Sequence, residues 1–169
     1  MPASPEDLFN LLEKLGIETT THHHAAVFTV EESAGVKASI PGGHTKNLFV
    51  KDKKGNFFLV VAEGSARIPM NKIHVLIGAR SRLSFANSDA LMELLGVEPG
   101  LVTAFAPMND KDNKVRVIID EPLLAHDQIN CHPLKNTMTT TILKEDLFRF
   151  LRHTGHEPQI VRLSEPEEV

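Results

Sequence analysis

The sequence predicts a mixed α/β fold with a substantial antiparallel component, rather than a doubly wound parallel sheet. Three observations lead there. Capped amphipathic segments alternate along the chain with short β-branched runs. Several of those runs are joined by turns of hairpin length, too short for a crossover helix. Finally, 169 residues suffice for one ordinary domain with a real core, so a single domain over residues 1–169 is the expected organisation.

The first helix is expected to start at Ser4, a capping residue, with Pro5 at the first helical position and Asp7 in the first turn. Leu8, Leu11, Leu12 and Leu15 recur at helical spacing, and Gly16 stops the run. Glu18 to His23 reads as a short strand, and Thr29-Val30-Glu31-Glu32 as a capping box opening a short helix. After a loop at Ile40-Pro41-Gly42-Gly43, Asn47 to Asp52 and Asn56 to Ala62 read as strands joined by a Lys53-Lys54-Gly55 hairpin turn. Asn71 to Ile77 is a weak helix closed by Gly78, and Arg82 to Phe85 a strand. Asn87 caps a helix through Leu95, which Gly96 ends, and Glu98-Pro99-Gly100 is a turn. Val115 to Ile119 is a buried β-branched strand, and Thr137 to Ile142 a second candidate. A helix from Lys144 to His153 carries Leu147, Phe150 and Leu151 on one face, with Gly155 after it. Gln159 to Leu163 is the last strand, and the tail from Glu165 is expected to fray.

Composition narrows the function classes. Hydrophobic residues make up 41% and charged residues 24%, which reads as soluble and globular. No apolar run approaches bilayer length, and the acidic start of the chain has no apolar signal core, so no membrane partner is expected. The single cysteine, Cys131, excludes an internal disulfide framework and fits a reducing cytoplasm. A net charge of −4 argues against a general DNA-binding protein. Its distribution is uneven: Lys37 to Arg82 holds nine basic and two acidic residues, or +7, leaving −11 for the remainder. Such a patch suits a limited length of phosphate backbone, although from charge alone a solvated lysine-rich hairpin is the favoured reading.

Common chemistries are absent from the motif record. There is no Gly-x-Gly-x-x-Gly, no P-loop, no His-Glu-x-x-His and no Gly-x-Ser-x-Gly elbow. Cys131 and His132 are adjacent, so on a strand they face opposite ways and form no thiol–imidazole pair. On a strand His22 and His24 of the His22-His23-His24 run share a face, but two imidazoles do not complete a zinc site. A polar strand edge is the simpler reading, and neither a metal nor another cofactor is expected.

Three segments, taken together and in order, say more. They are Val27 to Glu32 with Lys46-Asn47-Leu48-Phe49; Leu94 to Thr103 leading into Met108-Asn109-Asp110; and His132-Pro133-Leu134-Lys135-Asn136-Thr137 followed by Asp146 to Leu151 and Thr154-Gly155-His156. Across nearly the whole chain this set resembles the YbaK/proline-tRNA-synthetase-associated editing domain family, and within it the ProXp-ala (PrdX) branch. The sequence departs from the family pattern at Leu101, at Lys135 and at Leu143-Lys144. The resemblance implies a compact domain with a mixed, mostly antiparallel sheet partly closed into a barrel. It also implies a trans-acting aminoacyl-tRNA deacylase that hydrolyses mischarged alanyl-tRNA(Pro). A methylene or two yields only about 1–3 kcal/mol of discrimination, so a synthetase that cannot exclude a smaller amino acid needs a second site. The partners implied are the acceptor end of tRNA(Pro) and, through it, the proline-tRNA synthetase. A non-catalytic binding module of the same fold, or a deacylase for seryl- or cysteinyl-tRNA, is the alternative.

Site residues follow from the same resemblance. Lys46 matches the family's lysine, whose ammonium would neutralise the terminal phosphate or the developing negative charge. His132 matches the histidine of the His-Pro-Leu segment and would bond the ribose or α-amino region and help place water. Gly100 would let a backbone N–H approach the ester carbonyl, although a tight turn after Pro99 also explains it. Asn47, Asn136 and Thr137 would line the pocket or contact the acceptor end. Phe28 and Val30 would shape its wall, though their spacing also suits core, and Arg80 would meet the acceptor stem. No nucleophile–base triad is needed for an ester if water is held in line and the oxyanion is stabilised.

Overall fold

The computed structural model describes residues 2–25 and 40–165. The expected helix at Thr29 and the candidate wall residues Phe28 and Val30 lie outside the described residues, as do Lys37 and residues 166–169.

Local signals are realised first. Helix α1 spans Pro5–Lys14; Ser4 accepts from the Asp7 backbone N–H and the Asp7 side chain answers the Ser4 N–H, a reciprocal cap. Strand β1 (Thr20–His23) is shorter than expected. Strand β2 (Gly43–Lys51) and β3 (Phe57–Glu63) form the expected hairpin. Helix α2 is one turn, Ile73–Leu76, and β4 only Ser84–Phe85. Helix α3 (Ser88–Leu95) is capped by the Asn87 side chain and closed by Gly96 in the left-handed region at φ 65°. After β5 (Val115–Asp120) come β6 (Gln128–Cys131), β7 (Met138–Leu143), α4 (Lys144–His153) and β8 (Gln159–Val161).

The strands make one sheet in the order β1-β7-β6-β2-β3-β5-β8, with β4 also paired to β2. Four of the seven pairings are antiparallel and three parallel, so the mixed, mostly antiparallel sheet with surrounding helices is borne out. Strand β2 is the branch point. Its first residues, Gly43 and His44, pair with β6, and its last, Val50 and Lys51, pair with β4. Two glycines permit the first approach: a Cβ on Gly42 would stand 2.9 Å from the Gln128 carbonyl oxygen, and one on Gly43 would stand 2.6 Å from the His126 ring.

Alternation along the strands builds a core on each face. Phe49, Leu59, Val61, Val117 and Ile119 face the larger core, where α1, α3 and α4 add Leu8, Leu12, Leu95, Leu147 and Phe150. Phe105 meets Phe150 edge-on at 5.4 Å. The residues between them, Leu48, Val50, Phe58, Val60 and Ile118, face a smaller core closed by Ile73, Ile77 and Leu163. One buried hydrogen bond ties the C-terminal segment to the body. His156 Nε2 lies 2.9 Å from Asp110 Oδ2, and the same carboxylate accepts the Lys114 and Val115 N–H groups. No described helix is long and apolar enough to cross a membrane.

Candidate active site

The sheet opens between the two partners of β2. Strand β6 ends at Cys131 and β4 begins only opposite Lys51, leaving the middle of β2 beside the His132 loop. Thr45, which follows His44, donates to the Asn130 carbonyl at 2.8 Å. Carrying the β2–β6 register two residues past its last pair sets Lys46 against His132. Lys46 and His132, 86 residues apart in the chain, are therefore brought into register at one edge of β2.

Lys46 and Asn47 leave the strand on opposite faces. Lys46 lies on the small-core face and donates from Nζ to the Ala66 carbonyl. Asn47 pairs with Val61 and lies on the large-core face, where its Oδ1 is buried without a partner among the described residues. His132 is partly exposed, yet its Nδ1 is buried and unpartnered as well. Each is unusual, because an unmet buried acceptor or donor costs about 1–3 kcal/mol; His74 Nδ1 and Asp120 Oδ2 are open likewise among the described residues.

His132 is held from behind. Its carbonyl accepts from the Thr103 hydroxyl at 2.7 Å and from the Leu134 N–H at 3.1 Å. That turn puts Leu134 at φ 67°, a conformation that leucine rarely adopts, offset by burying its side chain in the large core. Burial pushes the His132 imidazole down to about 4; the neighbouring His24 acts in the same direction, and the Val102 backbone works against them. His132 is thus neutral through the physiological range. His24 is fixed at the end of β1: its backbone N–H donates to the Thr137 carbonyl, and its ring bonds the Ala25 carbonyl at 2.8 Å and the Thr139 hydroxyl at 2.9 Å. Both ring nitrogens are engaged, which leaves neither free as a ligand. His22 and His23 are exposed on the edge strand. Among the described residues no group of three or more His, Cys, Asp or Glu could hold a metal.

The remaining candidates divide. Asn136 and Thr137 lie in the loop after His132, and Thr137 is tied to His24. The Gly100 turn leads through Val102 and Thr103 to His132; Gly100 is at φ 90° with no atom within 4 Å of where a Cβ would stand. The backbone conformation therefore explains the glycine, and the space beside it is open. Arg80 is not brought to this group. Its backbone N–H is bound by Asp52 at the hairpin end of β2, six residues or about 20 Å along the strand from Lys46. Cys131 is buried and its thiol is pushed up to about 12 by burial, only partly opposed by Thr45, so it is no nucleophile.

Sequence reasoning passed over Thr103, His24 and Asp120. Thr103 stood within a quoted segment but had no spacing to mark its role. Asp120 did carry a signal: it is the one charged residue closing the apolar run Val117-Ile118-Ile119. A groove of about 590 Å³ between α1 and β7 lies elsewhere, lined by Leu12, Ile17 and Thr141 together with Glu13 and Glu18. Its two carboxylates repel a polyanion.

The middle of β2, left unpaired on its β6 edge, thus carries Lys46 in register with His132 of the loop after β6. Residues 24–150 match the aminoacyl-tRNA editing domain model, and the chain belongs to that family. Among its relatives are prolyl-tRNA synthetase associated domain-containing protein 1 of Danio rerio, 38% identical over 92% of this chain and 85% of that one. Another is the prolyl-tRNA editing protein ProX of Acetoanaerobium sticklandii, 31% identical over 90% of this chain and 93% of that one. The fold is shared with a solved structure described as a candidate trans-editing enzyme for prolyl tRNA synthetase, at TM-score 0.71 and 21% identity, covering 98% of this chain and 99% of that one.

Proposed function

We propose that this protein is a trans-acting deacylase that hydrolyses alanyl-tRNA(Pro), working with neither a metal nor a covalent intermediate. The observation that carries the proposal is the extended β2–β6 register, which sets Lys46 against His132, whose Nδ1 is buried and open among the described residues; Asn47 Oδ1, on the opposite face of β2, is open too. In this reading the substrate supplies the missing partners. The Lys46 ammonium offsets the negative charge of the terminal phosphate or of the carbonyl oxygen as water adds to the ester. His132, neutral because it is buried, bonds the ribose or the α-amino end and orders that water. The open space at Gly100 admits the ester to a backbone N–H. Asn136 and Thr137 complete the rim.

The choice of alanine on proline tRNA rests on the ProXp-ala resemblance and on the names of the relatives, two of which refer to prolyl-tRNA. A panel of aminoacylated tRNAs, assayed for amino-acid release without added metal, tests it. Alanine leaving the proline tRNA fastest is the expected outcome. Preferential release of serine or cysteine would move the substrate, and binding with no release would leave a non-catalytic module.

A further inference from the structure

The row containing Lys46 continues across the sheet. Lys46 pairs with Ala62, and the parallel register that sets Val61 against Ile119 carries Ala62 against Asp120, which itself pairs with Val161. By strand alternation these side chains leave on the small-core face, with Leu48, Val60 and Ile118. Asp120 is wholly buried. Its Oδ1 accepts the backbone N–H groups of Leu163 at 2.7 Å and Ser164 at 3.1 Å. Its Oδ2 is buried and accepts nothing among the described residues. A carboxylate oxygen so placed bears its full desolvation cost unless positive charge stands near.

Lys46 is the cation in that row. Two strand spacings, about 10 Å, separate its Cα from that of Asp120. The residue between is Ala62, itself fully buried, which puts only a methyl group between the two side chains. The ammonium is already drawn to this side. It donates to the Ala66 carbonyl, and Arg67, the next residue, accepts from the N–H of Glu165, the neighbour of Ser164. An ammonium has three donors, and the Ala66 carbonyl takes one.

We propose that Asp120 is a positioning residue for Lys46: across Ala62, its open Oδ2 attracts the ammonium and keeps it inside the site when the Ala66 contact is exchanged for substrate. This rests on the reading of Lys46 given above. Asp120→Asn, which retains an acceptor for Leu163 and Ser164, is the informative change, together with Lys46→Met and the double variant. Each single variant is expected to melt lower than wild type, and the double no lower than the worse single, because removing both charges leaves neither unpaired. Additive shifts would overturn the pairing. In turnover, Asp120→Asn is expected to lower kcat about tenfold at unchanged KM, the mark of an interaction made in the transition state. Should Asp120→Asn not fold, Ala62→Val fills the space between the two charges, and an unchanged kcat in that variant overturns the proposal. A non-additive melting cycle with full activity in Lys46→Met would keep the pairing and remove the catalytic role of Lys46. Additive melting with activity lost in Lys46→Met would do the reverse.

Discussion

Two buried aspartates lie on this sheet, and they are treated oppositely. Asp52, at the hairpin end of β2, has both oxygens filled: Oδ1 by the N–H groups of Lys54 and Asn56, Oδ2 by the Asn56 side chain and the Arg80 N–H. Asp120, in the row of Lys46, has one oxygen filled and one empty. The difference runs through the whole molecule. At the hairpin end, and at the buried His156–Asp110 pair, the fold meets its own polar groups. Among the described residues the unmet buried atoms are Asn47 Oδ1 on the middle of β2, His132 Nδ1 in the loop after β6, Asp120 Oδ2 in the row of Lys46, and His74 Nδ1 on α2. Each such unmet buried group calls for an explanation, and ligand binding is one.

Mutations can break this division. The largest effect on stability is expected for His156→Ala, which strands the Asp110 carboxylate in the core. Removing one partner of a buried pair costs about 3–5 kcal/mol. Denaturant unfolding measures that loss, and the folded fraction should keep its full deacylation rate; a folded variant without activity would blur the line between the two classes. Next comes Asp52. Burial works against its ionisation, but the surrounding donors more than offset this and hold the carboxyl at about 2, against 3.8 for a free one. Because the folded value is depressed, the stability it contributes is present above pH 4 and lost as the pH falls through 2. Asp52→Asn should therefore flatten the acid limb of a melting-temperature curve in that window while leaving turnover intact.

The smallest effect concerns His132 and sharpens the other half of the comparison. An imidazole held down to about 4 stays neutral across the physiological range, so the pH profile of kcat/KM should show no inflection from it between pH 6 and 7. An inflection there that disappears in His132→Asn would mean that the site titrates like an exposed histidine. Stability carries the matching sign: between about 6.5 and 4 the unfolded chain takes up a proton that the folded chain does not, so folding weakens as the pH falls.

How far the sequence could be read follows from the range of each interaction. The caps of α1 and α3, the β2–β3 hairpin and the full extent of α4 are written in residues a few positions apart, and they were legible. Strand β6 was missed. Gln128-Ile129-Asn130-Cys131 has little strand character of its own and is made a strand by β7 and by the distant start of β2. The same parallel pairing extends β2 back to Gly43, four residues before its apolar run. The short 3₁₀ turns at Ala106–Asn109 and Glu121–Ala125 are too brief to show a period. In the site, Lys46 and His132 came from a resemblance between motifs, since nothing local distinguishes either. Asp120 meets Leu163 and Ser164 more than forty residues on, and no spacing rule spans that gap. Arg80 was grouped with Lys46 because both lie in one basic stretch, whereas the length of β2 separates them.

One measurement bears on all of this most directly: single-turnover release of alanine from alanyl-tRNA(Pro), with wild-type protein and with Lys46→Ala, in metal-free buffer. The role proposed for Lys46 predicts rapid release by wild type and a loss of about 10²–10³ in rate for the variant, the scale of removing one oxyanion-stabilising group. Full activity in a folded Lys46→Ala protein, or no turnover of any aminoacyl-tRNA by wild type, would contradict it.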